Sequence, residues 1–541
     1  MIGVVANPSE HAAVREFFEL FKTPWEFYHS DRQYEVLLCA GEGIFSEKTA
    51  KLVLVYGGRK LLFDGQTELE AVPQQDHGRM LVYQQLRIPI YADSVHFLGR
   101  KSDFLVDAES RRAVAYLDQS DGRVVARIGY DLFREIGNLL TVGQPAHNAG
   151  IPTLELHIAL LRDVIVSSGR ELVEIPPVPE GYRFIACLTH DVDHPSIRLH
   201  KFDHTMFGFL YRAVFQSLFK LVTRQMSVRE LLVNWIAALK LPFVYLGVAK
   251  DFWLEFDRYP QLEGCPHSSF FVIPFKDDPG RTDGGPAPKH RASRYGAADI
   301  AGQLRALHAA GCEIGLHGID AWRDSAKGRE ELEQIRRITG MREIGVRMHW
   351  LYHDQQSPLT LEHAGADYDT TVGYNEAIGY RAGTPQVYKP LEASRLLELP
   401  LHIMDTALFY PTRMALSPSE ARRRVGAIID TAVRYGGAVT VNWHDRSIAP
   451  ERCWSDFYAG LVDELRSKGA WFATAAEAVA WFRIRRSASF NSACESADVG
   501  VNRVGDVNQD LPGLQLRVHR GQKSHPTTTV GAGAPHVRIS V

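Results

Sequence analysis

Residues 184–195 read Phe184-Ile185-Ala186-Cys187-Leu188-Thr189-His190-Asp191-Val192-Asp193-His194-Pro195. The first five form an apolar run of the kind that makes a buried strand. The run stops abruptly at His190, Asp191, Asp193 and His194. Four ionisable groups within five residues, at the end of such a strand, are costly to desolvate unless something pairs with them. A divalent metal is the simplest partner, because carboxylate and imidazole are its usual ligands. The bland alternative is a solvated turn. A fully buried strand argues against it, since such a strand delivers its turn to a barrel or sheet mouth, where α/β proteins keep their sites.

Outward from this stretch, strand-like and helix-like segments alternate. Strands are predicted at 184–188, 269–273, 313–316, 344–347, 396–399, 438–442 and 471–473, with helices at 298–310, 329–339 and 418–435. Such alternation means a parallel sheet, and about seven strands favour a barrel. The fold class expected is therefore α/β. The chain is 541 residues long, enough for two or three domains. Residues 1–180 read as a mixed α/β region, with strands at 34–39 and 51–56, a turn at Gly57-Gly58 and a helix over 151–168. Glu42 and the pair Asp76-His77 are isolated there and read as surface polar groups. Pro176, Pro177 and Pro179 make 174–181 a stiff linker and the best boundary. From about 487 aromatics nearly vanish and no period survives, so 487–541 is expected to be a disordered tail.

Composition narrows the partners. An apolar fraction of 45% and a charged fraction of 23% are ordinary for a globular protein. The net charge of −3 points to no particular partner, and no basic stripe with interleaved aromatics suggests nucleic acid. Cys39, Cys187, Cys265, Cys312, Cys453 and Cys494 are scattered, which suggests reduced and mostly buried thiols. Met1 to Glu10 show no basic segment followed by an apolar core, so cytoplasmic residence is the default expectation. Residues 231–249 approach the length of a membrane span, but Asn234, Lys240 and Pro242 argue against one. With the aromatic-rich 207–222, which carries Arg212 and Lys220, a membrane-surface contact is an alternative. Core or lid helices of an insertion around 200–265 are the preferred reading.

Polar residues collect just after successive strands: Asp191 and Asp193, then His317, then Arg347 and His349, then Asp367 and Asp369, then His402 and Asp405, then His444 and Asp445. Strand C-termini of a barrel converge on one face, so this series reads as one site. Trp322, Trp350 and Trp443 lie near these motifs and suit either sugar stacking or core packing. Asp367 and Asp369 are read as fixing a loop, Gly383 as serving a turn, and Arg381 as a candidate substrate contact.

The series resembles the polysaccharide deacetylase family of carbohydrate esterases over roughly 182–482. That family has an incomplete (β/α) barrel. The resemblance implies that Thr189-His190-Asp191-Val192-Asp193 is a variant of its first motif, with Asp191 as general base and Asp193 as metal ligand. It implies that His317 is the first His of the second motif, Arg347 the arginine that holds the base, and His444 the general acid. The second motif departs from the pattern, because its second His is here Ala321. His349, His194 and Asp320 are candidates for that place. His349 is preferred, since it follows the next strand and sits where the family usually has Pro. His190 and His194 are read as outer groups.

On this resemblance the chain is expected to be a metal-dependent hydrolase removing N-acetyl groups from an amino-sugar glycan or its precursor. A mixed Asp/His set suits zinc. Asp191 would take a proton from water, and His444, kept charged by Asp445 or another nearby carboxylate, would protonate the leaving amine. The alternatives are a catalytically degenerate glycan-binding protein, motivated by Ala321, and an amidase acting on a non-sugar amide.

Overall fold

The computed structural model describes residues 1–41, 50–66, 70–74, 78–99, 104–120, 122–223, 226–255, 258–265, 267–282, 284–490, 498–502, 511–521, 523–524, 528–530 and 536–540. Glu42, Asp76, His77 and Cys494 lie outside the described residues. The chain is mixed α/β, and its central part forms a curled parallel sheet. The strand order is Leu397–Glu398, Tyr368–Asp369, Val346–Met348, Glu313–Gly318, Ser268–Val272, Phe184–Val192, Ala438–Asn442 and Ile403–Met404, with Ala470–Phe472 also pairing with Phe184–Val192. Every pairing in it is parallel. Only Leu399–His402 separates the two ends of this order in sequence. There Leu399 N donates to Asp369 O and His402 N to Thr440 O, which draws the ends together and curls the sheet.

The Phe184–Val192 strand lies at the heart of the sheet and is buried at all nine positions. It runs past Leu188, where the apolar run ends, because its polar groups are satisfied internally. Thr189 Oγ1 donates to Val441 O at 2.7 Å. The His190 ring sits between Trp443 O at 2.8 Å and Glu263 Oε1 at 3.0 Å. Neighbouring side chains such as Phe270, Val272, Leu316 and Val346 are fully buried, each stabilising by roughly 1.5–3 kcal/mol. Two strands escaped the sequence reading, Tyr368–Asp369 and Ile403–Met404, each of two residues and so too short to show a period.

Helices cover the outer face. Ser325–Thr339 starts at the N-cap Asp324 and stops at Gly340, whose φ of +77° is the left-handed conformation that ends helices. Pro418–Tyr435 begins with a capping box of Ser417 and Glu420.

The N-terminal region holds an eleven-stranded sheet. Its parallel part runs Trp25–Phe27, Ile2–Val5, Tyr34–Ala40, Ala50–Tyr56 and Arg123–Ile128. Phe17, Phe133 and Leu160 of the covering helices belong to a core that also takes in Val372 and Tyr388. The proline-rich stretch is packed rather than free: Ile175 is buried and Pro177 O accepts from Gly437 N at 2.7 Å. Inside the tail expected to be disordered, Leu514–Arg520 is a strand. It pairs antiparallel with Leu172–Glu174, and Leu514 and Leu516 are buried. Its alternation is too short and too weakly apolar to stand out from sequence.

The insertion contains consecutive helical segments at His204–Leu210, Tyr211–Gln216 and Ser217–Val222, followed by the helix Val228–Tyr245. No described helix is long and apolar enough to cross a membrane.

Candidate metal centre

Strand alternation sorts the polar residues of the first motif. Asp191 and Asp193, two apart, face the mouth of the sheet, and His190, one residue before Asp191, faces away with Val192. His190 is fully buried against Tyr259 and Phe270, so it is a packing and hydrogen-bonding residue rather than an outer group of the site. Arg347 and His349 repeat the spacing on Val346–Met348 and the turn beyond it, as do Asn442 and His444 after Ala438–Asn442.

These residues meet in one cleft of about 270 Å³, lined by Asp191, Asp193, His317, His349 and His444 among others. Asp193, His317 and His349 each offer a ligand atom within 4.8 Å of the others. His317 Nε2 is 3.4 Å and His349 Nε2 3.6 Å from Asp193 Oδ1. Asp193 Oδ1 is buried with no hydrogen-bond partner, an orphan acceptor aimed between two imidazoles. The other ring nitrogen of His317, Nδ1, lies 2.9 Å from Arg347 O. A carbonyl can only accept, so Nδ1 carries the proton and Nε2 presents its lone pair to the cluster. Burial pushes the His349 imidazole well below its ordinary range, which keeps it neutral. Burial works the other way on Asp193, but His349, His317 and His444 outweigh it and hold that carboxyl well below its usual value. One carboxylate and two imidazoles form the donor set of a tetrahedral divalent site with an open position.

The position of the missing histidine is elsewhere. Ala321 is fully buried, and a Cβ placed on Gly328 would stand 3.2 Å from its own Cβ. Asp320 does not fill the place either, since its Oδ1 accepts from Arg281 N at 2.8 Å. His349 is held by a residue the sequence reading missed. Arg291 donates through Nη2 to His349 O at 2.9 Å and to Ile319 O at 3.1 Å, tying the two ligand-bearing turns together. Trp350 and Leu351 follow with φ of +63° and +55°, rare for side chains of that size and a store of backbone strain at the cleft wall.

Flanking the cluster are two carboxylate-centred pairs. Arg347, fully buried, donates from Nη1 to Asp191 Oδ1 at 3.0 Å and to Thr189 Oγ1 at 2.6 Å. Its other groups bond Thr370 O and Thr370 Oγ1. Asn442 Nδ2 donates to Asp191 Oδ2 at 2.7 Å. On the opposite side, His444 Nδ1 is 2.6 Å from Asp405 Oδ1, and His444 N donates to Asp405 Oδ2 at 2.8 Å. Burial opposes a charged His444, but Asp405 prevails and the imidazole is pushed up to about 10. Its Nε2 faces Asp193 Oδ2 at 3.8 Å.

Of the two possibilities for the carboxylate that keeps His444 charged, Asp445 or another one nearby, the structure shows the second, since Asp405 holds that place. Asp445 Oδ2 accepts from His194 N at 3.0 Å, and burial and Asp193 push the Asp445 carboxyl up to about 7. His194 lines the cleft but its Nδ1 faces His200 Nε2 at 3.2 Å. Arg381 does not reach the cleft, for its Nη1 donates to Gly373 O at 3.0 Å. His402 is buried against Thr384 and Thr440. Asp367 pairs with Arg483. Asp369 accepts from Thr371 Oγ1. Of the three tryptophans, Trp322 and Trp443 are core residues, and Trp350 lines the cleft.

No family model matches the chain, and no curated protein matches it. Among solved structures, the carbohydrate deacetylase Agd3 aligns over 100% of this chain and 99% of its own, at 8% identity and a TM-score of 0.36. A Mycobacterium smegmatis protein provisionally assigned as a polysaccharide deacetylase aligns over 57% of this chain and 94% of its own, at 17% identity and a TM-score of 0.35. A Pseudomonas aeruginosa protein of the same provisional assignment aligns over 60% and 98%, at 15% identity and a TM-score of 0.33. Likenesses this distant carry no argument about activity, which rests on the residues themselves.

Proposed function

We propose that the chain is a metal-dependent hydrolase that removes N-acetyl groups from an amino-sugar glycan or its precursor, working at the mouth of an incomplete (β/α) barrel. The observation that carries this reading is the joint arrangement in one cleft: Asp193, His317 and His349 as a three-ligand set, with Asp191 on Arg347 and His444 on Asp405 at its sides. The orphan Oδ1 of Asp193 and the tautomer of His317 fit a divalent ion, zinc by the chemistry of the set. Bound there, such an ion supplies Lewis acidity toward an amide carbonyl and makes water a nucleophile near neutral pH. Asp191, oriented by Arg347 and Asn442, accepts a proton from the attacking water. His444 holds a proton at Nε2, stabilised through Nδ1 by Asp405, and delivers it to the departing amine. Water and amide thereby become carboxylic acid and amine. Trp350 offers an aromatic wall for a sugar face.

The test is acetate release from N-acetylated glycan oligomers by the metal-loaded protein, compared with Asp191→Asn. No release from any oligomer, together with no effect of the substitution, would refute the reading. Turnover of small amides alone would favour the amidase alternative.

A further inference from the structure

The insertion's helices bury one apolar stripe and leave a second one outside. In the first run, Met206, Phe209 and Ala213 face inward, and Phe207, Tyr211, Phe215, Phe219 and Val222 face outward at helical spacing. In Val228–Tyr245, Leu231, Ala237, Leu241 and Val244 are buried. Leu232, Trp235, Ile236, Leu239 and Phe243 are exposed, Leu239 at 74%. A surface helix ordinarily turns polar residues to water, and contiguous exposed apolar patches of this kind mark a binding face. The expected core role is met by the inner stripe, which packs with Ile197, Trp253 and Ala449, and the outer stripes remain exposed.

Charge selects the occupant. Between residues 199 and 250 the chain has Lys201, Arg212, Lys220, Arg224, Arg229, Lys240 and Lys250 against Asp203 and Glu230, although the whole protein is net negative. Both acidic residues are spent on helix starts. Asp203 caps His204–Leu210, and Glu230 closes a capping box with Ser227. Among the described basic residues, Lys201, Arg229, Lys240 and Lys250 are exposed beside the apolar stripes, which is the pattern of helices that lie in the headgroup region of an anionic bilayer.

We propose that this helical hairpin docks the protein onto an anionic lipid surface, lying in it rather than spanning it. The root of the hairpin reaches the cleft. His200 contacts His194, which lines the cleft wall, and the Arg446 guanidinium, also at that wall, lies 5.5 Å over Trp253. Docking therefore brings the cleft close to the bilayer and, on the hydrolase reading above, presents it to a glycan carried on lipid.

The experiment is vesicle flotation of the full chain with phosphatidylcholine alone and with phosphatidylcholine plus phosphatidylglycerol. The wild type is expected to float with the anionic vesicles, less with neutral ones, and less at raised salt. The double variant Leu239→Glu with Phe243→Glu should float about ten-fold less. Arg229→Glu with Lys240→Glu should remove the preference for anionic lipid while leaving weak neutral binding. The single variant Leu239→Glu, at a site already in water, keeps the test available if the double variant misfolds, as judged by circular dichroism. Failure of the wild type to float with either vesicle, or full binding by the glutamate variants, would overturn the proposal. So would a dimer in sedimentation velocity without lipid that Leu239→Glu dissociates, since a second copy would then cover the face. None of these readings depends on turnover.

Discussion

Arg127–Asp64 in the N-terminal sheet and Arg347–Asp191 in the curled sheet are both ion pairs with hardly any exposure, and each arginine stands on a strand with a parallel neighbour. They differ in what lies beyond them. Arg127 spends its donors on Asp64 and on the carbonyls of Gly57, Arg59 and Ile128, and Leu61 N caps the remaining side of the carboxylate. Those groups occupy both oxygens of the Asp64 carboxylate. Asp191 receives Arg347 and Asn442 but also lines the cleft, 3.8 Å from His317. The same contrast holds for whole sheets. The N-terminal parallel strands run into Ala6-Asn7, Gly41, Gly57-Gly58 and Gly129, and the central ones into Asp193, His317, His349 and His444. Two sheets of like construction thus share a scaffold and not a chemistry, which resides in the side chains at strand ends.

The sharpest way to break this contrast is metal content. Wild type should carry about one divalent ion per chain, Asp193→Asn below about a tenth of that, and Asp64→Asn should match wild type. Acetate release should fall by about 10³-fold or more in Asp193→Asn or on chelation. Elemental mass spectrometry and an acetate assay read both. Next in size, Asp405→Asn should lower kcat by roughly 10²–10⁴-fold with little change in metal content, because it leaves His444 without its partner. A kcat equal to wild type would remove His444 from the reaction.

The two arginines give the direct comparison. Arg127→Met and Arg347→Met should each cost about 3–5 kcal/mol in urea denaturation, since each leaves a buried carboxylate unpaired. Only Arg347→Met should also reduce turnover of the folded fraction. A smaller loss, about 1–3 kcal/mol, is expected for Ala321→His, by overpacking against Gly328 and without any gain in metal affinity. Tighter metal binding in that variant would show that position 321 can reach the cluster.

The smallest effect lies in the N-terminal region. His157 is fully buried beside Tyr130 and burial lowers its imidazole to about 3. Below the unfolded value near 6.5 the unfolded chain gains a proton that the folded one refuses, so this group's stability is lost as pH falls from about 6.5 toward 3. His157→Phe should relieve about 1 kcal/mol of that loss between about pH 8 and pH 6. An unchanged difference would place the acid sensitivity elsewhere.

Much of this was legible because buried parallel strands write themselves as apolar runs, and their ends as sudden polarity. The run 438–442 and the helix 418–435 match the observed Ala438–Asn442 and Pro418–Tyr435 in full. Residues brought to the cleft by strand ends, such as Asp193 and His444, were found by that rule. The pairings made across the chain were not. Asp405 reaches His444 from a two-residue strand that leaves no periodic trace, and Arg291 arrives from a short helical turn. Asn442 carried a readable signal, its spacing of two from His444, which places both on one face. Asp445, adjacent in sequence, does not take the place beside His444, because successive residues of an extended segment point opposite ways.

The pairing of Leu172–Glu174 with Leu514–Arg520 has a consequence for synthesis on the ribosome. The earlier strand emerges before the whole curled sheet, and its partner only after it. At roughly 5–20 residues per second it waits on the order of tens of seconds with an unpaired edge. The nascent chain is therefore most vulnerable to chaperone capture or mispairing during that interval, and release of the late strand closes it.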